Sequence, residues 1–194
     1  MLKPADANQA RARSRWAIAG VLLACWVCNA CAPSATVEGP YAMTGQVFHV
    51  DLPAGWRKGK RDSTFLWITR DGMQEILVSR HALQTPLKHT QRKLTQGMSP
   101  DEAAAVILDS LRSDPEKANI DIPENRPIQL AGLPGFKLIY AYRTASGFRY
   151  RAANYVLLGN KWVYQIIYAA PERHYFAKDL PAFEKVAASF RIVD

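Results

Sequence analysis

Residues 136–168 read FKLIYAYRTASGFRYRAANYVLLGNKWVYQIIY, and this stretch decides the fold. Phe136, Leu138, Tyr140 and Tyr142 occupy alternate positions. After Thr144-Ala145-Ser146-Gly147 the alternation resumes through Phe148, Tyr150, Ala152, Asn154 and Val156. Gly159-Asn160 follows as a two-residue hairpin signal, and Trp162, Tyr164, Ile166 and Tyr168 alternate again. Successive side chains of a strand point to opposite faces, so this period of two, broken by turn residues, predicts three antiparallel strands in a meander. Gly132 and Pro134-Gly135 lead into it.

Working outward, Phe48, Val50 and Leu52 alternate with His49 and Asp51, which predicts a half-buried strand ending at Pro53. Phe65, Trp67 and Thr69 interleave with Leu66 and Ile68, a strand apolar on both faces. Asp71-Gly72 then marks a tight turn into Ile76, Leu77 and Val78, a hairpin. Residues 82–98 are polar, basic and irregular. Ser99 with Glu102 three residues later forms a capping box, and Pro100 suits a first helical turn. Ala103, Val106, Ile107, Ser110 and Leu111 recur at helical spacing until Asp114-Pro115 stops the helix. A closing helix carries Phe183, Val186, Ala187 and Phe190 at i, i+3, i+4 and i+7. The expected class is α+β: a mostly antiparallel sheet layered with amphipathic helices.

Three strings carry a resemblance to a known family: FHVDLPAGW at 48–56, LAGLPGFKLIY at 130–140 and FEKVAASFRI at 183–192. With the element order, they make the chain from about residue 45 onward similar to the PsbP-like sandwich. That α/β/α fold is shared by an extrinsic photosystem II subunit, a Ran-binding nuclear import factor and many small bacterial envelope lipoproteins. The resemblance implies a non-catalytic docking or assembly role. It transfers no site residue, and a shared fold is a weak guide to function.

The first 31 residues read as a lipoprotein signal segment. Lys3, Arg11, Arg13 and Arg15 form a basic head, and the apolar run WAIAGVLLA at 16–24 leads to Leu22-Leu23-Ala24-Cys25. Basic head, apolar run and small-residue junction are the marks of export. Cys25 is the first choice for lipid attachment, and Cys31, followed by a polar stretch, is the alternative. An uncleaved anchor and simple cleavage are the rival readings; Trp16 to Ala32 is shorter than the roughly 20 residues a span needs. Residues 32–45 then read as a linker and 46–194 as the folded domain. The expected location is the bacterial cell envelope, anchored in a membrane and facing the periplasm. The absence of Asp after either cysteine leans towards the outer membrane. The C-x-x-C-x-x-C spacing of Cys25, Cys28 and Cys31 lacks a fourth ligand and sits in an apolar export segment, so an iron–sulfur site is discounted.

The chain carries +8 overall, with 21 Lys and Arg against 16 Asp and Glu after Cys31. The tightest cluster is Arg57, Lys58, Lys60 and Arg61, a candidate contact for an anionic surface or simply a solvated turn. Nucleic acid is an unsuitable partner for an exported chain with no stacking aromatics in that cluster. Tyr142, Arg149, Arg151 and Lys137 form a binding face if they share one side of the sheet. No catalytic motif, metal-ligand spacing or cofactor signature is recognisable. His81 and His89 are separated by a segment holding Pro86, and His49 with Asp51 makes only a possible His–carboxylate pair on one strand face. The expectation is therefore a non-enzymatic envelope lipoprotein that docks to another envelope component, without cofactor or metal. A soluble exported domain binding a small or anionic ligand is the alternative, and a hydrolase the third.

Overall fold

The computed structural model describes residues 36–42, 47–59 and 65–193. The chain divides into units Met1–Ser34 and Ala35–Asp194, and every described residue lies in the second. Strand β1 spans Thr36–Ala42, β2 Phe48–Lys58, β3 Phe65–Arg70 and β4 Gln74–Ala82, and helix α1 spans Pro100–Arg112. Strands β5 (Lys117–Leu130), β6 (Leu133–Thr144), β7 (Arg149–Leu158) and β8 (Trp162–Pro171) follow, then helix α2 (Ala177–Ser189) and the short β9 (Arg191–Ile192). Among the described residues they form one sheet, ordered β1-β2-β3-β4-β8-β7-β6-β5, with β9 paired to β2. All of its pairings are antiparallel.

Each face of the sheet carries a helix, which makes an α+β sandwich. Residues of one parity on β8 (Tyr164, Ile166, Tyr168) pack with Phe183, Val186 and Phe190 beneath α2. The other parity (Val163, Ala169) shares a core with Ala103, Ala104, Val106 and Ile107 of α1. These are the helical faces that the sequence spacing predicted. Phe48, Phe136, Phe183 and Phe190 are fully buried, each worth about 1.5–3 kcal/mol of transfer free energy. The α1 capping box forms as read: the Ser99 hydroxyl accepts from the Glu102 N–H, and the Glu102 carboxylate accepts from the Ser99 N–H at 2.8 Å.

The structure departs from the sequence reading at four places. The expected linker holds β1 over Thr36–Ala42, an edge strand on β2. Strand β2 does not stop at Pro53. Pairing resumes at Trp56 opposite Val37 after Leu52 opposite Gly39, so Pro53, Ala54 and Gly55 form a bulge where proline's missing donor is harmless. Strand β5 went unread because Pro123 and Pro127 interrupt it; it is the opposite edge, where a missing N–H can face solvent. Finally, Gly159 donates its N–H to the Trp162 carbonyl at 2.9 Å, so Gly159 closes the β7–β8 hairpin and Asn160-Lys161 is its turn.

Candidate functional site

The registers place named side chains in rows across the α1 side of the sheet. One row reads Trp67, Leu77, Ile167, Asn154, Leu138. Its neighbours read Phe65, Ser79, Gln165, Val156, Phe136 and Arg57, Thr69, Glu75, Ala169, Ala152, Tyr140. Burial is highest at the β6–β7 end of each row and lower at the β3 end, with Ser79 buried in between. Leu138, Asn154, Val156, Phe136 and Tyr140 are buried, whereas Phe65, Trp67, Leu77 and Ile167 are half-buried and Arg57 and Glu75 are exposed. The cause is the placement of the cover. Helix α1 packs on β5 and β6, at the far side of the sheet from β3, and the 83–98 segment adds Leu83, Leu87, Leu94 and Met98 to the same core.

The half-covered part of this face is an apolar shelf with charges of both signs at its rim. The Trp67 ring lies across Gly59, where a Cβ would run into the indole. Its Nε1–H donates to Glu75 Oε2 at 3.1 Å, which fixes the ring's orientation on the sheet. Beside the shelf a cavity of about 250 Å³ opens between β4, β8 and the 83–98 segment, lined by His81, Pro86, Leu87, Leu94, Val163 and Gln165. Desolvation holds the His81 imidazole below its ordinary value, so it is neutral at pH 7, and it shares a hydrogen bond of 3.1 Å with Ser79 Oγ.

A tyrosine ladder borders the shelf, with Tyr140–Tyr142 and Tyr142–Tyr150 centroids 5.8 and 6.0 Å apart. Burial raises all three hydroxyls above their ordinary value; Glu75 adds to the shift at Tyr142 and Tyr150, and for Tyr140 the Tyr142 hydroxyl is the next cause. They are neutral phenols here, suited to packing and hydrogen bonding.

The candidate residues drawn from sequence separate. Arg57 stands on the α1 side at the end of the Thr69–Glu75 row. Lys58 is on the opposite face, where it donates to the Tyr41 hydroxyl at 2.8 Å and lies 4.5 Å from that ring's centroid. Lys60 and Arg61 lie outside the described residues, as do Cys25 and Cys31. The face suggested by Tyr142, Arg149, Arg151 and Lys137 does not exist, because Tyr142 is on the α1 side and the three cations on the other. There Arg149 and Arg151 both hold Glu172, at 2.8 and 2.6 Å, and buried Lys137 holds Glu184 at 3.1 Å. His81 pairs with Ser79, whereas His89 lies 3.6 Å from Asp114. His49 and Asp51 are both exposed on β2. No group of three His, Cys, Asp or Glu suited to a metal occurs among the described residues, and no helix among them is long and apolar enough to cross a membrane. Sequence reasoning missed Leu77, Ile167 and Glu75 as partners of Trp67. The only signal was that β3 and β4 are apolar at consecutive positions, which shows two apolar faces without showing which one a helix leaves bare.

No protein-family model matches the sequence, and no curated protein matches it. Solved structures do. The cyanobacterial PsbP protein CyanoP of Synechocystis aligns with a TM-score of 0.56 at 11% identity, over 86% of this chain and 97% of its own. The Ran-binding protein Mog1p of Saccharomyces cerevisiae aligns at 0.52 and 12% identity, over 82% and 97%. LpqN of Mycobacterium tuberculosis, described as involved in cell envelope biogenesis, aligns at 0.52 and 16% identity, over 82% and 92%. At these identities the likeness establishes the fold, which is PsbP-like.

Proposed function

We propose that a chain with this fold and this export segment is a lipid-anchored envelope protein that docks a protein partner on the half-buried part of its α1-side face, without catalysing a reaction. The observation that carries the reading is the Trp67–Leu77–Ile167 row, which leaves a covered core and ends half-buried at a charged rim. An apolar centre with an oriented indole, ringed by Arg57 and Glu75, has the composition of a protein-docking patch. The titratable groups nearby are absorbed by local contacts: Glu75 by Trp67, and Asp114 by Lys117 and His89. That supports docking over chemistry. Two proteins of the same fold point the same way by their descriptions, one as Ran-binding and one as involved in envelope biogenesis. Cys25, with Cys31 as the alternative, supplies the tether, and the outer membrane is the favoured side.

The test is photo-crosslinking in the native envelope from a benzoylphenylalanine placed at Leu77 or at Ile167, with exposed Lys178 of α2 as the control position. The docking reading expects the same discrete adduct from both shelf positions, none from Lys178, and loss of the Ile167 adduct when Trp67→Ala is introduced. Adducts of equal yield at Lys178, or none at either shelf position, would refute it.

A further inference from the structure

The cavity between β4, β8 and the 83–98 segment is a second candidate site, and none of Trp67, Leu77 and Ile167 lines it. Its floor is set by register: His81 of β4 pairs with Val163 of β8, and Gln165 stands two residues along on the same face. Its roof is the 83–98 segment, which backbone hydrogen bonds hold in place. Leu83 donates its N–H to the Lys161 carbonyl at 2.9 Å, Gln84 to that of Leu94 at 2.9 Å, and Leu87 to that of Arg92 at 2.8 Å. Leu94, 5% exposed, anchors the roof in the α1 core. The cavity of about 250 Å³ is therefore preformed, and a ligand entering it has little chain to order.

The polar groups of the lining are open to a ligand. Half-buried Gln165 and exposed Thr85 make no side-chain hydrogen bond among the described residues, and neither has its side-chain polar atoms sealed from solvent. Lys88 is exposed, and its ammonium has no carboxylate or ring partner among the described residues, whereas nearby Arg92 is paired with Asp109. His81 is neutral at pH 7 and no carboxylate lines the cavity, so Lys88 is its one charge. A lone cation attracts an anion and repels an amine. One ammonium balances a monoanion and leaves a dianion half-paired. The rest of the wall is Ala82, Pro86, Leu87, Leu94 and Val163, which suits an apolar body. Size bounds that body. An apolar cavity of about 150 Å³ holds benzene, so this one has room for a phenyl or branched-alkyl group with a carboxylate attached.

We propose that this cavity binds a small monocarboxylate with an aryl or branched-alkyl body. The carboxylate pairs with Lys88, with the Thr85 hydroxyl and the Gln165 amide as the neutral donors available to it. The body lies against Leu87, Leu94 and Val163.

The test uses the full-length protein in nanodiscs of phosphatidylcholine, with phenylacetate as the probe. The methyl resonances of Leu87 and Val163 are the readout, and those of Leu180 in α2 are the control. Phenylacetate is expected to shift the cavity methyls saturably, with a Kd of about 1 mM or tighter, and to leave Leu180 unmoved. Phenylacetamide keeps the body and loses the charge, and phenethylamine reverses the charge; each should bind at least about fivefold more weakly. Exposed Lys88→Gln should weaken phenylacetate about fivefold and leave phenylacetamide unchanged, because both changes remove the same ion pair. No saturable shift up to about 10 mM, equal binding of phenylacetamide, an equal shift at Leu180, or unchanged phenylacetate affinity in Lys88→Gln would overturn the proposal. Photo-crosslinking from Leu77 and Ile167 reads the shelf with no phenylacetate present, so docking there and binding here fail separately.

Discussion

Gly135 gives the sharpest test of how the meander is built. The residue sits in β6 opposite Leu157, at an ordinary negative φ, so its backbone suits any amino acid. What excludes a side chain is space. A Cβ there would fall well inside contact distance of the Val156 carbonyl oxygen and within 3.0 Å of Leu157 Cα, both backbone atoms of the neighbouring strand. No rotamer change relieves that contact, so β6 and β7 must part locally. Overpacking of this kind costs about 1–3 kcal/mol, and weakening one or two ladder hydrogen bonds adds about 1 kcal/mol each. Gly135→Ala should therefore lose about 3 kcal/mol, or about 10 °C in Tm for a domain of this size. Gly132 is the control. It lies two residues before the Pro134-Gly135 pair, at φ +76° in the two-residue β5–β6 turn with Ala131 at +53°, and a Cβ there meets nothing within 4 Å. Its substitution costs only the left-handed strain of an alanine, about 1 kcal/mol. Urea denaturation of both variants decides the matter. If Gly135→Ala cost no more than Gly132→Ala, the steric account of the β6–β7 contact would be wrong.

Three further outcomes are expected. Ser99→Ala should cost about 1 kcal/mol by removing the hydroxyl of the α1 capping box, with Ser99→Asp restoring most of it, read by thermal melts. The Glu172 carboxyl is held below its ordinary value by the hydrogen bond from Arg149, with Arg151 adding to this against the opposing effect of burial; a depressed folded value makes its contribution complete above the unfolded value and lost as pH falls through the folded one, so stability should decline below about pH 4, and Arg149→Gln should flatten that decline. Mass spectrometry of the membrane-extracted protein should show a diacylglyceryl adduct that Cys25→Ser abolishes and Cys31→Ser leaves intact; the opposite pattern moves the anchor to Cys31, and no adduct in either case would refute the tether.

What could be read from the sequence was local. The period of two in residues 136–168, the Asp71-Gly72 hairpin, the Ser99–Glu102 cap and the spacing of Phe183, Val186 and Phe190 each depend on residues within one or two turns of chain, where sterics and solvation decide almost alone. Edge strands escape that logic. Strand β1 has Gly39-Pro40 and β5 has Pro123 and Pro127, so each is a strand only because a neighbour supplies the other half of its ladder. The candidate sites are one step further removed. Trp67, Leu77 and Ile167 come from three strands up to 100 residues apart, and their exposure follows from α1 resting on β5 and β6 instead of on β3. Which strand lies beside which, and which half of a face a helix leaves bare, are settled by long-range burial; short-range preferences carry no record of it.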